Sequence, residues 1–138
     1  MYLAYAAPAG TAFIDRALYL PRSWASDPAR CQVAGVPADT AFATKPALAT
    51  RMIGRALDAR APAGWAAADE VYVQDPRLRA ELTRRGLGYV LAVAKSHPVP
   101  TAIGARPASE LARRLPARTW QRISTGPGAK GPAGMTGP

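Results

Sequence analysis

The chain contains little cysteine, histidine or lysine, and the shortage of the first two excludes several kinds of functional site. Cys31 is the single cysteine among 138 residues, and His97 is the single histidine. One thiol cannot form an internal disulfide, and no Cys/His cluster is present to hold a structural zinc ion. A lone histidine also gives no support to a Ser-His-Asp arrangement. Because an unpaired thiol suits a reducing compartment, we expect a cytoplasmic protein.

Long apolar runs are missing as well. No stretch approaches the roughly 18 residues that a membrane span needs. The N-terminal segment MYLAYAAPAG lacks the basic start and the long apolar centre of a signal peptide. The sequence therefore predicts no membrane partner. Its hydrophobic content of 49% is still enough for one modest domain with a core.

Positive charge is what the chain has in excess. It carries 18 Lys+Arg against 9 Asp+Glu, a formal net charge of +9, and arginine supplies most of it. This balance favours an anionic partner, nucleic acid before a membrane surface. We predict contacts to the phosphate backbone, without base specificity, from Arg77, Arg84, Arg85 and Lys95. The competing interpretation is that these side chains are the solvated face of ordinary helices.

The first half of the sequence predicts a β-hairpin followed by a helix. Tyr2 to Ala7 reads as a strand, and Thr11 to Leu20 alternates with a period of two. Neither face of the second segment is cleanly polar, so we expect that strand to be covered on both sides. Arg22 to Phe42 predicts a loop with a short helical turn near Pro28 to Ala34.

The segment after Thr44 predicts a helix with one buried face. Thr44 precedes Lys45 and Pro46, and proline suits the first turn of a helix. Five apolar residues recur at helical spacing and predict a core-facing stripe. They are Leu48, Met52, Ile53, Ala56 and Leu57.

The middle of the chain predicts a strand, a helix and a second strand. Trp65 to Ala68 is a short apolar run, and Asp75 with Pro76 is a good start for a helix. Gly86 is placed to end that helix. Leu87 to Ala94 reads as an interior strand parallel to the first. Together they predict a βαβ unit.

The C-terminal third gives weaker patterns. Lys95 to Pro107 reads as irregular, Ala108 to Leu115 as a short helix, and Thr119 to Ile123 as a strand. Residues 124–138 are rich in glycine and proline and should be disordered. His97 precedes a proline in a predicted loop and should be exposed. The three tryptophans are expected to anchor the core; they are Trp24, Trp65 and Trp120.

Two adjacent carboxylates at the end of the Trp65 strand are the strongest candidate site. Ligands of open α/β sheets gather outside the carboxyl ends of the strands, where Asp69 falls. The alternative is an ordinary solvated carboxylate. Glu70 should point the opposite way along the strand as a surface charge. Asp15 either faces the same site or pairs with Arg16 or another arginine, and Asp75 is a helix cap.

Four segments together resemble one protein family. They are FIDRALYLPRSW at 13–24, FATKPALATRMI at 42–53, ADEVY at 68–72 and LGYVLAV at 87–93. This set, in this order, resembles the DDE domain of bacterial insertion-sequence transposases of the actinobacterial type. The resemblance extends over most of residues 1–123 and implies an α/β fold, a ribonuclease-H-like mixed sheet flanked by helices and incomplete at both ends.

The resemblance also implies a chemistry. In that family three carboxylates hold two Mg²⁺ ions that cut and join DNA strands at transposon ends. Asp69 matches the second catalytic aspartate, so it is the expected metal ligand. The first carboxylate is expected before Met1 and the third beyond the end of the chain. Val73 stands where the family usually has glycine.

These implications lead to two alternatives for function. The first is a fragment of a DDE transposase, related to DNA transposition but inactive alone. The second is a non-catalytic basic α/β remnant that binds nucleic acid non-specifically.

Overall fold

A computed structural model describes residues 1–121, 127–128 and 131–132 of the chain. The chain divides into two compact units, Met1–Val93 and a second that begins at Ala94. Each unit combines helices with short strands, so the predicted mixed α/β class is confirmed. None of the helices described is both long enough and apolar enough to cross a membrane.

The first unit contains four strands and five helices in its described residues. In chain order they are β1 Tyr2–Ala7, β2 Gly10–Arg16, α1 Arg22–Ala25, α2 Pro28–Val33, α3 Lys45–Asp58, β3 Trp65–Ala68, α4 Glu70–Val73, α5 Pro76–Arg84 and β4 Gly88–Leu91. β1 pairs antiparallel with β2, and β3 pairs parallel with β4. The two pairs are separate two-stranded sheets.

The predicted hairpin is confirmed, but its second strand is shorter and more exposed to solvent than expected. β2 ends at Arg16 rather than at Leu20. The side chain of Phe13 is 75% exposed and that of Ile14 is 44% exposed, so the expectation of a strand covered on both sides is wrong. The reason is that α3 packs against the hairpin and β2 has β1 as its strand partner, which leaves the remaining apolar surface of this narrow ribbon to solvent.

Helix α3 begins where the sequence predicts. The Thr44 side chain accepts a hydrogen bond from the Ala47 amide at 3.3 Å, and Pro46 lies in the first turn. The predicted stripe faces inward, with Met52 only 1% exposed. Ile53 packs against a core cluster that α5 and Leu87, the residue before β4, supply. The centre of that cluster consists of Leu78, Leu82 and Leu87.

The βαβ unit is confirmed, with shorter strands than predicted. Trp65 pairs with Gly88 at one end of the parallel ladder and Ala68 with Leu91 at the other. β4 is not an interior strand, because β3 is its one strand partner in the described residues and Val90 is 64% exposed. A single partner strand cannot cover both edges of β4.

Trp65 is a surface residue rather than a core anchor. Its side chain is 72% exposed. A Cβ atom placed on Gly88 would lie 2.8 Å from the indole ring, so the ring lies directly over the backbone of the neighbouring strand. The absence of a side chain on Gly88 is what admits this position. Trp24 is half-buried, with the guanidinium of Arg30 stacked 4.0 Å from its ring centroid.

Two helices of this unit end in the same backbone conformation. After α5, Gly86 has a φ of 69°, and the Leu87 amide donates to the carbonyl of Leu82. This is the Schellman end that glycine favours, as predicted for Gly86. After α3 the equivalent position is Arg60, with a φ of 61°. A non-glycine residue therefore occupies a left-handed conformation at that helix end.

The second unit begins with a hairpin that the sequence analysis missed. Its elements are β5 Pro98–Thr101, β6 Gly104–Pro107, α6 Ala108–Arg114, a 3₁₀ turn at Ala117–Thr119, and the two-residue strands β7 Pro127–Gly128 and β8 Gly131–Pro132. β5 pairs antiparallel with β6, so the prediction of an irregular segment is wrong. Proline is tolerated in strands that have one free edge. β5 and β6 each have such an edge, because they form a two-stranded sheet.

Other expectations for this unit have mixed outcomes. α6 is confirmed to within one residue. No strand begins at Thr119, which ends the 3₁₀ turn, and Ile123 lies outside the described residues. Trp120 is 52% exposed rather than a core anchor. His97 is half-buried instead of exposed, with its Nδ1 atom shielded. The predicted disorder of residues 124–138 falls largely outside the described residues; β7 and β8 within it pair antiparallel.

Candidate active site at the carboxyl edge of the parallel strands

Asp69 lies at the carboxyl edge of the β3–β4 pair, the place that the sequence predicts. It follows β3 directly and caps α4, where its Oδ1 atom accepts a hydrogen bond from the Val71 amide at 3.0 Å. The Ala92 amide donates to the Ala68 carbonyl at 2.9 Å and extends the ladder to this edge. The side chain of Asp69 is therefore oriented by a helix cap and exposed to solvent.

Glu70 does not have the position expected for it. The strand ends at Ala68, and Glu70 is the first residue of α4. Because the Asp69 cap turns the chain into a helix, the two acids are not alternate positions of one strand. An acidic residue in the first turn interacts favourably with the positive end of a helix. Glu70 remains an exposed charge.

Tyr72 is the titratable neighbour of Asp69. Burial raises the pKa of the Tyr72 hydroxyl above its usual value, and the negative charge of Asp69 raises it further. The hydroxyl donates to the sulfur of Met1 at 3.8 Å. Tyr72 thus stays protonated at neutral pH and connects the region after β3 with the residue before β1.

Asp15 belongs to a structural ion pair. Its Oδ2 atom accepts from Nε of Arg55 at 3.0 Å, and Nη2 of the same guanidinium lies 2.9 Å away. Its Oδ1 atom accepts from the Arg16 amide at 2.7 Å. Of the two alternatives for Asp15, pairing with an arginine is the one observed, and the partner is on α3. Asp75 is confirmed as a helix cap, accepting from the Arg77 amide at 2.8 Å.

The acidic residues that the structure describes do not assemble a complete metal site. Within residues 1–121 and the two short strands beyond them, no group of three His, Cys, Asp or Glu residues is placed to hold a metal ion. Asp69 brings one carboxylate, and one of its oxygens already accepts the Val71 amide. Protein Mg²⁺ sites use one or two carboxylates together with substrate phosphates and water. The residues that the structure describes therefore do not form a closed metal centre.

Two of the predicted phosphate contacts are engaged with carboxylates. Glu81 accepts from Nε of Arg84 at 2.8 Å and from Nε of Arg85 at 2.6 Å. Arg85 also donates to Asp58 at 2.6 Å. The hydrogen bonds from Arg84 and Arg85 lower the pKa of the Glu81 carboxyl to about 2. The hydrogen bonds that Arg85 donates to Asp58 and Glu81 raise the pKa of its own guanidinium.

Arg77 is placed differently from Arg84 and Arg85. It is exposed and lines a shallow groove between the first turns of α3 and α5. Arg51 of α3 lines the same groove, and neither guanidinium forms an ion pair with a described residue. The sequence analysis did not include Arg51 among the candidate phosphate contacts; its position off the apolar stripe of α3 was the available signal.

Lys95 belongs to the second unit. Its side chain is exposed, and its carbonyl accepts from the Ser109 amide at 2.9 Å. Nearby on α6, Glu110 is paired with Arg114 at 2.7 Å and with Arg106 at 3.4 Å. Lys95 therefore remains a candidate phosphate contact on its own unit.

Comparison with known proteins identifies the family. Residues 1–127 match the family described as DDE superfamily endonuclease. A search of curated proteins and a search of solved structures each found no match. The matched range includes both strand pairs of the first unit and Asp69 at their carboxyl edge. Because the match extends over most of its length, the chain belongs to the DDE superfamily endonucleases.

Proposed function

We propose that this chain supplies Asp69 as one carboxylate of a transposase centre that cuts and joins DNA strands. The observation that carries the proposal is the position of Asp69 directly after β3, at the carboxyl edge of a parallel strand pair. Membership of the DDE endonuclease superfamily supports the same assignment. The proposal includes a ribonuclease-H-like arrangement of the completed sheet and the transposition reaction of bacterial insertion sequences.

Asp69 fits the role of a metal ligand because its carboxylate is already oriented before any metal binds. The Val71 amide holds Oδ1, and Oδ2 accepts no hydrogen bond from a described residue. When bound in such a centre, Mg²⁺ stabilises charge on the oxygens of a phosphoryl displacement. The part that this chain plays is to hold a carboxylate oxygen at the sheet edge, beside a protonated Tyr72.

We propose in addition that the chain alone does not cleave DNA. Support comes from the described residues, among which no set of three potential ligands converges on one point. A centre of this kind needs the remaining carboxylates from polypeptide outside that set. In this proposal Asp69 is one contribution to a shared site.

One test uses the purified chain with supercoiled plasmid and Mg²⁺ or Mn²⁺. We expect no strand cleavage. Cleavage by the wild-type chain that is lost in Asp69→Asn would show that the chain is active alone and would overturn that part of the proposal. Asparagine is the preferred substitution because it preserves the helix cap while removing the charge.

A second test grafts residues 1–121 into a catalytically complete family member in place of its matching segment. We expect the graft to cleave. Asp69→Asn should reduce cleavage by more than the roughly 100-fold that loss of a supporting residue around a metal site costs. Glu70→Gln, the neighbouring exposed carboxylate, is the matched control and should retain activity. Equal cleavage by Asp69→Asn and wild type would refute the assigned role.

A second candidate function is non-specific binding of nucleic acid without catalysis. It is favoured by the net charge of +9 and by Arg51 and Arg77 in one groove. Phosphate neutralisation makes the logarithm of the binding constant fall linearly with the logarithm of salt concentration. A duplex of arbitrary sequence titrated at several salt concentrations tests it. Binding with little salt dependence would count against phosphate contact.

A further inference from the structure

One face of the β1–β2 hairpin carries two aromatic side chains that the described residues leave largely uncovered. Successive residues of a strand point to opposite faces, so Tyr2 and Ala4 share a face of β1. Phe13 lies opposite Ala4 in the ladder, which places it on the same face. The side chain of Tyr2 is 64% exposed and that of Phe13 is 75% exposed. Their ring centroids are 5.1 Å apart, with the ring planes tilted by 37°.

The opposite face of the hairpin packs against α3. On that side Asp15 pairs with Arg55 of α3, and Leu3 and Tyr5 are half-buried. The hairpin thus has an inner face that holds it to the helix and an outer face that does not. The outer face consists of Tyr2, Ala4, Ala6, Thr11, Phe13 and Arg16.

The charge on the outer face is positive. Arg16 lies opposite Tyr2 in the ladder and is exposed. Its guanidinium forms no ion pair with a carboxylate of the described residues. No residue of the outer face is acidic, and the whole chain has a formal net charge of +9. The face therefore presents aromatic rings beside a cation that is available to an anionic partner.

The size of the outer face decides between kinds of partner. A ribbon of two strands and six residues is about 20 Å long and about 10 Å wide, which gives roughly 200 Å². A stable protein interface buries about 800 Å² on each partner. Apart from Tyr2 and Phe13 the apolar residues on this face are two alanines. The face is thus small for a protein partner but suits flat groups that stack on single rings.

We propose that the outer face of the hairpin binds a single strand of nucleic acid by base stacking. Bases stack on the rings of Tyr2 and Phe13, and Arg16 contacts a neighbouring phosphate. Exposed aromatic side chains next to positive charge bind single strands in this way, because every base has a flat face. In a duplex those faces are occupied by neighbouring base pairs. The inference goes beyond both proposed functions, because phosphate contact needs no base and Asp69 has no part in it.

The first test compares two labelled strands of about ten nucleotides, a length typical of single-strand binding sites. One is oligothymidylate, and the other has the same sugar-phosphate backbone without bases. Fluorescence anisotropy with the full chain should show at least roughly tenfold weaker binding of the abasic strand, since stacking supplies the difference. Equal binding of the two strands, or no binding of oligothymidylate, would overturn the proposal.

Oligouridylate of the same length identifies the kind of strand. Tighter binding than that of oligothymidylate assigns RNA as the partner, and weaker binding assigns DNA. Either result supports base stacking as long as the abasic strand binds more weakly than both.

Variants of Phe13 separate stacking from general apolar contact. Phe13→Leu keeps an apolar side chain but removes the ring, so it should weaken oligothymidylate binding by roughly tenfold. Phe13→Trp keeps a ring and should bind at least as well as wild type. Val33→Ala, at a side chain of α2 that is 92% exposed, is the control and should have no effect. Unchanged binding by Phe13→Leu would overturn the assignment of this face.

Two measurements keep the test decisive if Phe13→Leu does not fold. In the wild-type chain, oligothymidylate should shift the NMR signals of the Tyr2 and Phe13 rings, and the abasic strand should not. Arg16→Gln should reduce the slope of log K against log salt by about 0.7, the share of one phosphate of a single strand. Ring signals that do not respond to oligothymidylate would refute stacking at this face.

A last arm separates the inference from the proposed functions. Phe13→Leu should leave duplex binding unchanged, whereas Arg77→Ala should weaken it. Duplex binding without oligothymidylate binding refutes the stacking face and leaves phosphate contact standing, while the graft experiment still tests Asp69. Self-association of the chain that buries Tyr2 and Phe13 and excludes oligothymidylate, measured by sedimentation, would assign the face to a second copy and overturn the proposal.

Discussion

The guanidinium of Arg85 lies 2.6 Å from the carboxylate of Asp58, 27 residues earlier in the chain. The same side chain donates to Glu81 and lies against Gly54, where a Cβ atom would be 3.4 Å from it. These contacts connect α5 to α3. Two of the three guanidinium nitrogens are already engaged, so we predict that Arg85 stabilises the fold and contributes little to phosphate binding.

The first prediction contrasts Arg85 with Arg77 in DNA binding. Arg77→Ala should weaken binding to any duplex and reduce the slope of log K against log salt by about 0.9, the share of one phosphate contact. Arg85→Ala should leave the slope unchanged and lower the Tm, because it breaks the connection between helices. Salt-titrated fluorescence anisotropy and thermal unfolding measure the two effects. A larger slope change for Arg85→Ala than for Arg77→Ala would contradict the assignment.

The second prediction concerns acid stability. Arg84 and Arg85 lower the pKa of Glu81 from 4.5 to about 2. A lowered pKa in the folded state stabilises the protein above the unfolded value and loses that effect as the pH falls through the folded one. The Tm advantage of wild type over Glu81→Gln should therefore be full above pH 4.5 and vanish near pH 2. An advantage that grows on acidification would contradict this ion pair.

The third prediction concerns the two helix ends with positive φ. Arg60→Gly should raise the free energy of unfolding by about 1 kcal/mol, because a left-handed conformation costs roughly that much outside glycine. Gly86→Ala, at the equivalent position after α5, should lower it by about as much. Ala59→Gly, one residue before Arg60 with a φ of −77°, is the control and should be destabilising. Urea unfolding measures all three, and a destabilised Arg60→Gly would disagree with the backbone geometry.

The fourth prediction separates two effects of Asp69, its hydrogen bond as the cap of α4 and the influence of its charge on Tyr72. Asp69→Ala should cost about 1 kcal/mol through loss of the cap on α4, whereas Asp69→Asn should be close to neutral. Both variants remove the charge, so both should lower the pKa of Tyr72 while burial keeps it above the usual value. Chemical denaturation and an NMR titration of Tyr72 provide the readouts. An unchanged Tyr72 pKa would show that the two groups do not interact.

The fifth prediction tests the core. Leu82 is 1% exposed in the cluster that joins α5 to α3 and β4. Leu82→Ala should reduce the free energy of unfolding by about 2–5 kcal/mol, through lost burial and a residual cavity. Leu18→Ala, at a leucine that is 54% exposed, should change it by less than about 0.5 kcal/mol. Similar losses at both positions would contradict the described packing.

Local signals in the sequence predicted the fold well. The starts of α3 and α5 follow from Thr44 and Asp75, whose side chains cap the helices, and the end of α5 follows from Gly86. Each feature depends on residues at most a few positions apart. The position of Asp69 was predictable for the same reason, because it needs only the end of a strand and the start of a helix.

Distant contacts explain the errors. The exposure of Phe13 and Trp65 depends on which strands cover them, and no pattern within a strand contains that information. The pairing of Arg85 with Asp58 joins residues far apart in the chain. The hairpin of β5 and β6 has prolines in both strands, a residue that strand propensity disfavours, although a strand with one free edge accepts proline.

The indole of Trp65 lies on a glycine of the next strand, so the position of this exposed ring depends on a residue of β4. A methyl group at position 88 would lie 2.8 Å from the ring, which is too close, so the ring would have to move. Gly88→Ala should therefore displace the Trp65 side chain from its position over β4. The need for glycine at position 88 therefore comes from the side chain of the neighbouring strand, and not from the turn or the ladder to which Gly88 itself belongs.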